Sequence, residues 1–114
     1  MKKWLIIFCF IAFGLMLFYA SVIKNKLDIV QLTKAAKQGV PMAQNNLAAI
    51  YVKKKNYTEA LKWLRKAVQK NYMIAESNLA NMYYNGQGVK KNYTKAANGI
   101  IKLLYKAIFL PNLI

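Results

Sequence analysis

From Trp4 to Ile23 the chain is apolar and aromatic with only Gly14 and Ser21 interrupting, and no charge falls inside this stretch. Such a run, at about 1.5 Å rise per residue, reaches roughly 30 Å as a helix, the thickness of a bilayer's hydrocarbon core. The pattern predicts a spanning signal anchor within residues 1–26. The rival reading is a cleaved signal peptide, whose apolar core should be about 7–15 residues and end at small residues. A cut after Ala20 would place bulky Phe18 where a small residue is needed. The anchor is therefore the favoured reading.

Beyond residue 26 the apolar positions recur at the helical period. Leu27, Val30, Leu32, Ala35 and Ala36 predict a helix that Gly39 stops, with Pro41 opening the next. The inward stripe of that next helix is Ala43, Leu47, Ile50 and Tyr51, and Lys53, Lys54 and Lys55 make the turn that follows. Asn56 is an N-cap, with Glu59 as the reciprocal partner of a capping box. Ala60, Leu64, Ala67 and Val68 then point inward with Trp63 beside them, and Lys66, Lys70 and Asn71 close the helix. The cycle resumes through Ala75, Leu79, Met82 and Tyr83. A longer connection follows, Tyr84 to Val89, whose Gly86 and Gly88 permit a tight bend.

The cycle is also a sequence repeat. Residues 43–51, AQNNLAAIY, return as AESNLANMY at 75–83, an offset of 32; residues 54–60, KKNYTEA, return as KKNYTKA at 90–96, an offset of 36. One connection has therefore grown by four residues. Helical repeats of this length cannot bury their apolar faces alone and stack on their neighbours.

The segments KAAKQG (34–39), AQNNLAAIY (43–51), ALKWLRKA (60–67) and MYYNGQGV (82–89) resemble Sel-one-like repeats, a branch of the tetratricopeptide superfamily. The resemblance covers about residues 33–97. It implies an all-α fold, a right-handed solenoid of antiparallel helix pairs that scaffolds protein complexes, often in bacterial envelope systems. The expected division is a half repeat at 27–39, a repeat at 41–71, a repeat at 73–107 with a divergent last helix, and an apolar tail at 108–114. The aromatic and Lys-Ala signature does not return in register after Ala96, so the array reads as cut short, its apolar tail being packed back on the last helix or the relic of a truncated gene in preference to a docking patch. Some exported members of the family carry a cysteine pair in each repeat and have been described as penicillin-binding or β-lactamase-like. This chain has one cysteine, Cys9, inside the apolar run.

Repeat packing is assigned to Ala43, Leu47, Tyr51, Ala60, Trp63, Leu64, Ala67, Ala75, Leu79, Tyr83 and Ala96, and loop geometry to Gly39, Gly86 and Gly88. The family's geometry places ligands against the first helix of each pair. On its free face, helical spacing puts Asn45, Ala49 and Lys53 in one repeat and Ser77, Asn81 and Asn85 in the next. Asn46 and Asn78 are shared between repeats and are read as structural.

Charge and chemistry narrow the choice. There is no His, and Asp28, Glu59 and Glu76 are the only carboxylate side chains, so His-based triads, common zinc sets and paired-carboxylate hydrolysis lack their residues. No catalytic residue, metal site or cofactor is assigned. The 18 Lys and Arg give a net charge of +15, of which +13 remains without Lys2 and Lys3. Such a field attracts acidic partners, anionic lipid or nucleic acid; the abundance of Lys, Asn and Ile is equally what an AT-rich genome produces. The leading reading is a protein-interaction adaptor held in the bacterial inner membrane through residues 4–23, with its repeats in the periplasm and binding another protein or its own copies. Release after signal cleavage, a basic surface for nucleic acid or anionic lipid (nucleic acid being disfavoured), and a truncated relic are the alternatives.

Overall fold

The computed structural model describes residues 2–113, all of whose regular elements are helices. They are α1 (Lys2–Lys37), α2 (Pro41–Lys53), α3 (Tyr57–Gln69), α4 (Met73–Asn85), α5 (Tyr93–Phe109) and a 3-10 turn at Pro111–Leu113. The chain divides into two compact units with the boundary between Gln31 and Leu32.

The first unit is the apolar part of α1. Every side chain from Trp4 to Ile23 is exposed, and α1 is long and apolar enough to cross a membrane. Its helix does not stop at residue 26, where the sequence pattern suggested a boundary. Residues 24–31 contain neither Gly nor Pro, so nothing there terminates a helix. Leu27 and Val30, which share the apolar period of this helix, are exposed, and packing begins only at Leu32.

In the second unit the last turns of α1 and the four helices that follow form an all-α solenoid of paired helices. Each connection has a residue that can take the left-handed conformation: Gly39 at φ +91°, Lys55 at +58°, Asn71 at +59° and Gly86 at +66°. The repeat seen in sequence is also a repeat of backbone hydrogen bonds. Val40 N–H donates to Ala35 O at 3.2 Å, and 32 residues later Tyr72 N–H donates to Ala67 O at 3.2 Å. Within the pairs, Asn56 N–H donates to Tyr51 O at 2.9 Å and Asn92 N–H to Tyr83 O at 2.9 Å. The longer second connection thus closes on the same pair of backbone atoms, its extra residues looping out.

Two of the helix starts use Asn side chains. Asn56 Oδ1 accepts from Glu59 N–H at 3.4 Å, and Asn92 Oδ1 from Lys95 N–H at 2.9 Å. The capping box expected at Asn56 is only half formed. Asn56 N–H is already taken by Tyr51 O, so the Glu59 carboxylate turns instead toward Lys62 at 3.8 Å.

The core runs through the second unit: Ala36 of α1, Ala43, Leu47 and Ala48 of α2, Ala60, Leu61, Trp63, Leu64 and Ala67 of α3, and Ala75 and Met82 of α4. Small residues dominate it, and Leu64 is the most enclosed of its large side chains, followed by Leu47 and Met82. Burial of one such Leu stabilises by roughly 1.5–3 kcal/mol. Tyr51, Leu79, Val68 and Tyr57 are partly buried against this core.

The divergent last helix is a full second helix of its pair. It packs on α4, and its Ala96, Gly99 and Leu103 occupy the repeat positions of Ala60, Trp63 and Ala67 on α3. Gly99 stands where α3 carries Trp63, and a Cβ there would sit 3.3 Å from Ala80 Cβ, a tight contact with α4. That substitution is why the aromatic signature was missing from the sequence.

Candidate functional site

Helices α2 and α4 are the first helices of the two pairs, and the cleft between them is the site the structure offers for a ligand. It has a volume of about 220 Å³ and is lined by Ala48, Ala49, Val52, Leu64, Asn78, Asn81, Met82 and Gln87. Its floor is apolar, its polar groups are side-chain amides, and none of its lining residues is charged. Alanines at 48 and 49 leave the α2 wall low. An amide presents both donors and acceptors, so Asn81 and Gln87 can pair with either kind of peptide backbone group, while the Asn78 amide nitrogen is already bonded to Asn45.

Of the six residues proposed from helical spacing, Ala49 and Asn81 are exposed and line this cleft. Lys53 and Asn85 are exposed at the ends of α2 and α4, and Ser77 is half-buried; none of these three reaches it. Asn45 is placed differently from the expectation. It is buried, and its Oδ1 accepts from Asn78 Nδ2 at 2.9 Å, tying α2 to α4. A polar side chain so enclosed has exchanged water for that partner and has no face left for a ligand. Its neighbour Asn46, read as structural because it recurs, is exposed.

Gln87 escaped the sequence reading. Gly86 caps α4 in the left-handed conformation, and Gln87 N–H donates to Met82 O at 2.9 Å, which brings this loop residue back to the cleft. The four-residue insertion was the signal for it. Gly88 holds the same loop against α3: at φ +67°, a Cβ there would lie 2.7 Å from Tyr57 Cβ.

The carboxylates have local partners or lie apart. Glu76 is buried with Lys106, Glu59 is beside Lys62, and Asp28 is exposed on α1. Among the described residues there is no cluster of His, Cys, Asp and Glu able to hold a metal. The basic residues lie outside the cleft, several against aromatic rings. Lys66 and Lys62 stand 4.8 and 5.4 Å from the Trp63 ring centre, and Lys95 stands 5.1 Å from that of Tyr83.

Paired helices stacked around a continuous core, with a cleft between successive first helices, define a helical-repeat interaction module. Two family models match it in succession, a tetratricopeptide repeat over residues 42–71 and a Sel1 repeat over residues 74–98. The change from one to the other follows the change in connection, short between α2 and α3 and glycine-rich between α4 and α5. The chain is similar to the crystal structure of a protective antigen of uropathogenic Escherichia coli that displays an SLR fold, with 32% identity and a TM-score of 0.66. The match covers 75% of this chain and 19% of that one, so the chain spans about a fifth of the antigen's length. No curated protein matches the sequence. The chain is a Sel1-like repeat protein of the tetratricopeptide superfamily.

Proposed function

We propose that the chain is a membrane-anchored adaptor of the bacterial envelope that holds a partner protein by an extended segment laid in the α2/α4 cleft. The observation that carries this is the composition of the cleft: amides from Asn78, Asn81 and Gln87 over a floor of Ala48, Val52 and Met82, without a charge. Such a lining suits peptide backbone and small apolar side chains better than phosphate. The apolar run of α1 supports the anchor, and its place near the amino terminus supports export of the repeats. The matches to tetratricopeptide and Sel1 repeats support binding in place of chemistry.

A photo-crosslinking residue at position 81, in the full chain expressed in membranes, tests the cleft. The expected result is a discrete adduct that is absent from position 62, on the outer side of α3, and abolished by Ala49→Arg. Equal adducts at 81 and 62, or no effect of Ala49→Arg, would sink the reading. Reporter fusions active only inside or only outside the cytoplasm, joined to the carboxyl end, test the location; a cytoplasmic end would refute the periplasmic assignment.

A further inference from the structure

We infer that the outer face of α5 lies on an anionic bilayer surface, an inference that rests on the membrane-anchored reading above. On α3, Leu61, Leu64 and Val68 face the next pair; Leu61 meets Gly88 of the loop, and Val68 shares a pocket with Leu79 and Tyr83 of α4. Their counterparts on α5, 36 positions on, are Ala97, Ile100 and Leu104, and all three are exposed. Leu64 is 1% exposed, whereas Ile100 is 42% exposed.

An open end of a solenoid would by itself leave those stacking positions bare. The face of α5 is wider than that. Arg65 and Gln69 are exposed polar residues on α3, and their counterparts on α5 are Ile101 and Tyr105, which are exposed too. At roughly 100° per residue, Ile100, Leu104, Ile108, Ile101 and Tyr105 cover an uncharged arc of roughly 140°. Phe109 extends it, its ring 4.9 Å from that of Tyr105. A single stacked helix covers the first positions and not the last. A flat apolar medium covers all of them.

One flank points to the same medium. Lys95 and Lys102 are exposed along the same edge of the arc, beyond Phe109, and no acidic residue occurs from Tyr93 to the end of the chain. An apolar face with lysines along one edge and tyrosines toward its margin is a pattern that suits a helix lying in the interface of an anionic membrane. A second copy of the same face would bring two sets of uncompensated lysines together. The eight residues 24–31 are all that separate the apolar run from the repeat unit, so a chain inserted through residues 4–23 keeps its repeats within reach of the bilayer.

The test uses the full chain with Cys9→Ser, reconstituted in vesicles of phosphatidylcholine with or without phosphatidylglycerol. An environment-sensitive dye is attached to Ile101→Cys, Lys62→Cys or Phe10→Cys, one at a time, and quenched by nitroxide-labelled lipid. In anionic vesicles quenching at 101 should exceed that at 62 by about twofold or more, and the excess should shrink in neutral vesicles and at high salt. Equal quenching at 101 and 62, with 10 strongly quenched, would overturn the inference and leave the anchor standing. Absence of quenching at 10 would remove the anchor itself. Energy transfer between copies labelled at 101, without lipid quenching, would assign the face to a second copy and likewise overturn the proposal.

Discussion

Lys106 Nζ lies 2.5 Å from Glu76 Oε1, joining the end of α5 to the first turn of α4 across 30 residues, with both side chains buried. Nζ also lies 3.3 Å from Asn71 Oδ1, in the connection between α3 and α4. The preceding repeat solves the same place without the ion pair. Gln44 occupies the position of Glu76, and its Nε2 donates to Ala36 O at 3.1 Å; Lys70, the counterpart of Lys106, donates to Gly39 O. A carboxylate at 76 has no proton to offer the equivalent carbonyl, that of Val68, so Lys106 turns inward to meet it.

This predicts an asymmetric double-mutant cycle. Lys106→Met leaves Glu76 buried and charged and should cost about 3–5 kcal/mol of unfolding free energy. Adding Glu76→Gln supplies the amide of the first repeat and should recover a large part of that loss. Denaturant titrations of the two single variants and the double variant measure it; additive losses would contradict the pairing.

The connections should respond to backbone substitution with opposite signs. Gly88→Ala adds a Cβ at φ +67°, 2.7 Å from Tyr57 Cβ, and should cost roughly 2–4 kcal/mol from conformational strain and overlap together. Lys55 is in the left-handed region at φ +58° with an exposed side chain, so Lys55→Gly should raise stability by up to about 1 kcal/mol. Melting temperatures of the two variants should move in opposite directions.

The two Asn caps rank themselves by geometry. Asn92 Oδ1 is 2.9 Å from its N–H donor and Asn56 Oδ1 is 3.4 Å from its own. Replacing either by Ala should cost on the order of 1 kcal/mol, with Asn92→Ala the more damaging. Hydrogen exchange at the first turns of α5 and α3 reports each effect locally.

Asn78→Ala should destabilise by about 1–3 kcal/mol, because it strands Asn45 Oδ1 in a buried position. Asn81→Ala removes an exposed amide and should leave stability within about 0.5 kcal/mol while weakening partner capture. Thermal unfolding and crosslinking yield, measured on the same two variants, separate the structural amide from the binding one.

Local features were readable without the structure where sterics act within a few residues. Gly39 and Gly86 end helices, Asn56 begins one, and the alanine and leucine stripes of α2 and α3 follow the helical period. Features that depend on another helix were not. Asn45 and Asn46 differ by one position and about 100° of helical turn, and only the approach of α4 decides which is buried. Lys106 looks like another solvated lysine until Glu76 is found beneath it.

The order of apolar and polar residues therefore determined by itself the helical pattern of the repeats, the ends marked by Gly39, Asn56 and Gly86, the repeat of 32 residues and the apolar run near the amino terminus, because backbone sterics and side-chain period are properties of neighbouring residues; the continuation of α1 past residue 26 and of α5 to Phe109 was not read from it. Tertiary structure alone decided which polar groups are enclosed (Gln44, Asn45, Glu76, Lys106) and which apolar ones on α5 are left bare. Enclosure depends on the helix that packs alongside, and the cost of burying an amide or a charge exists only once that helix has excluded the water.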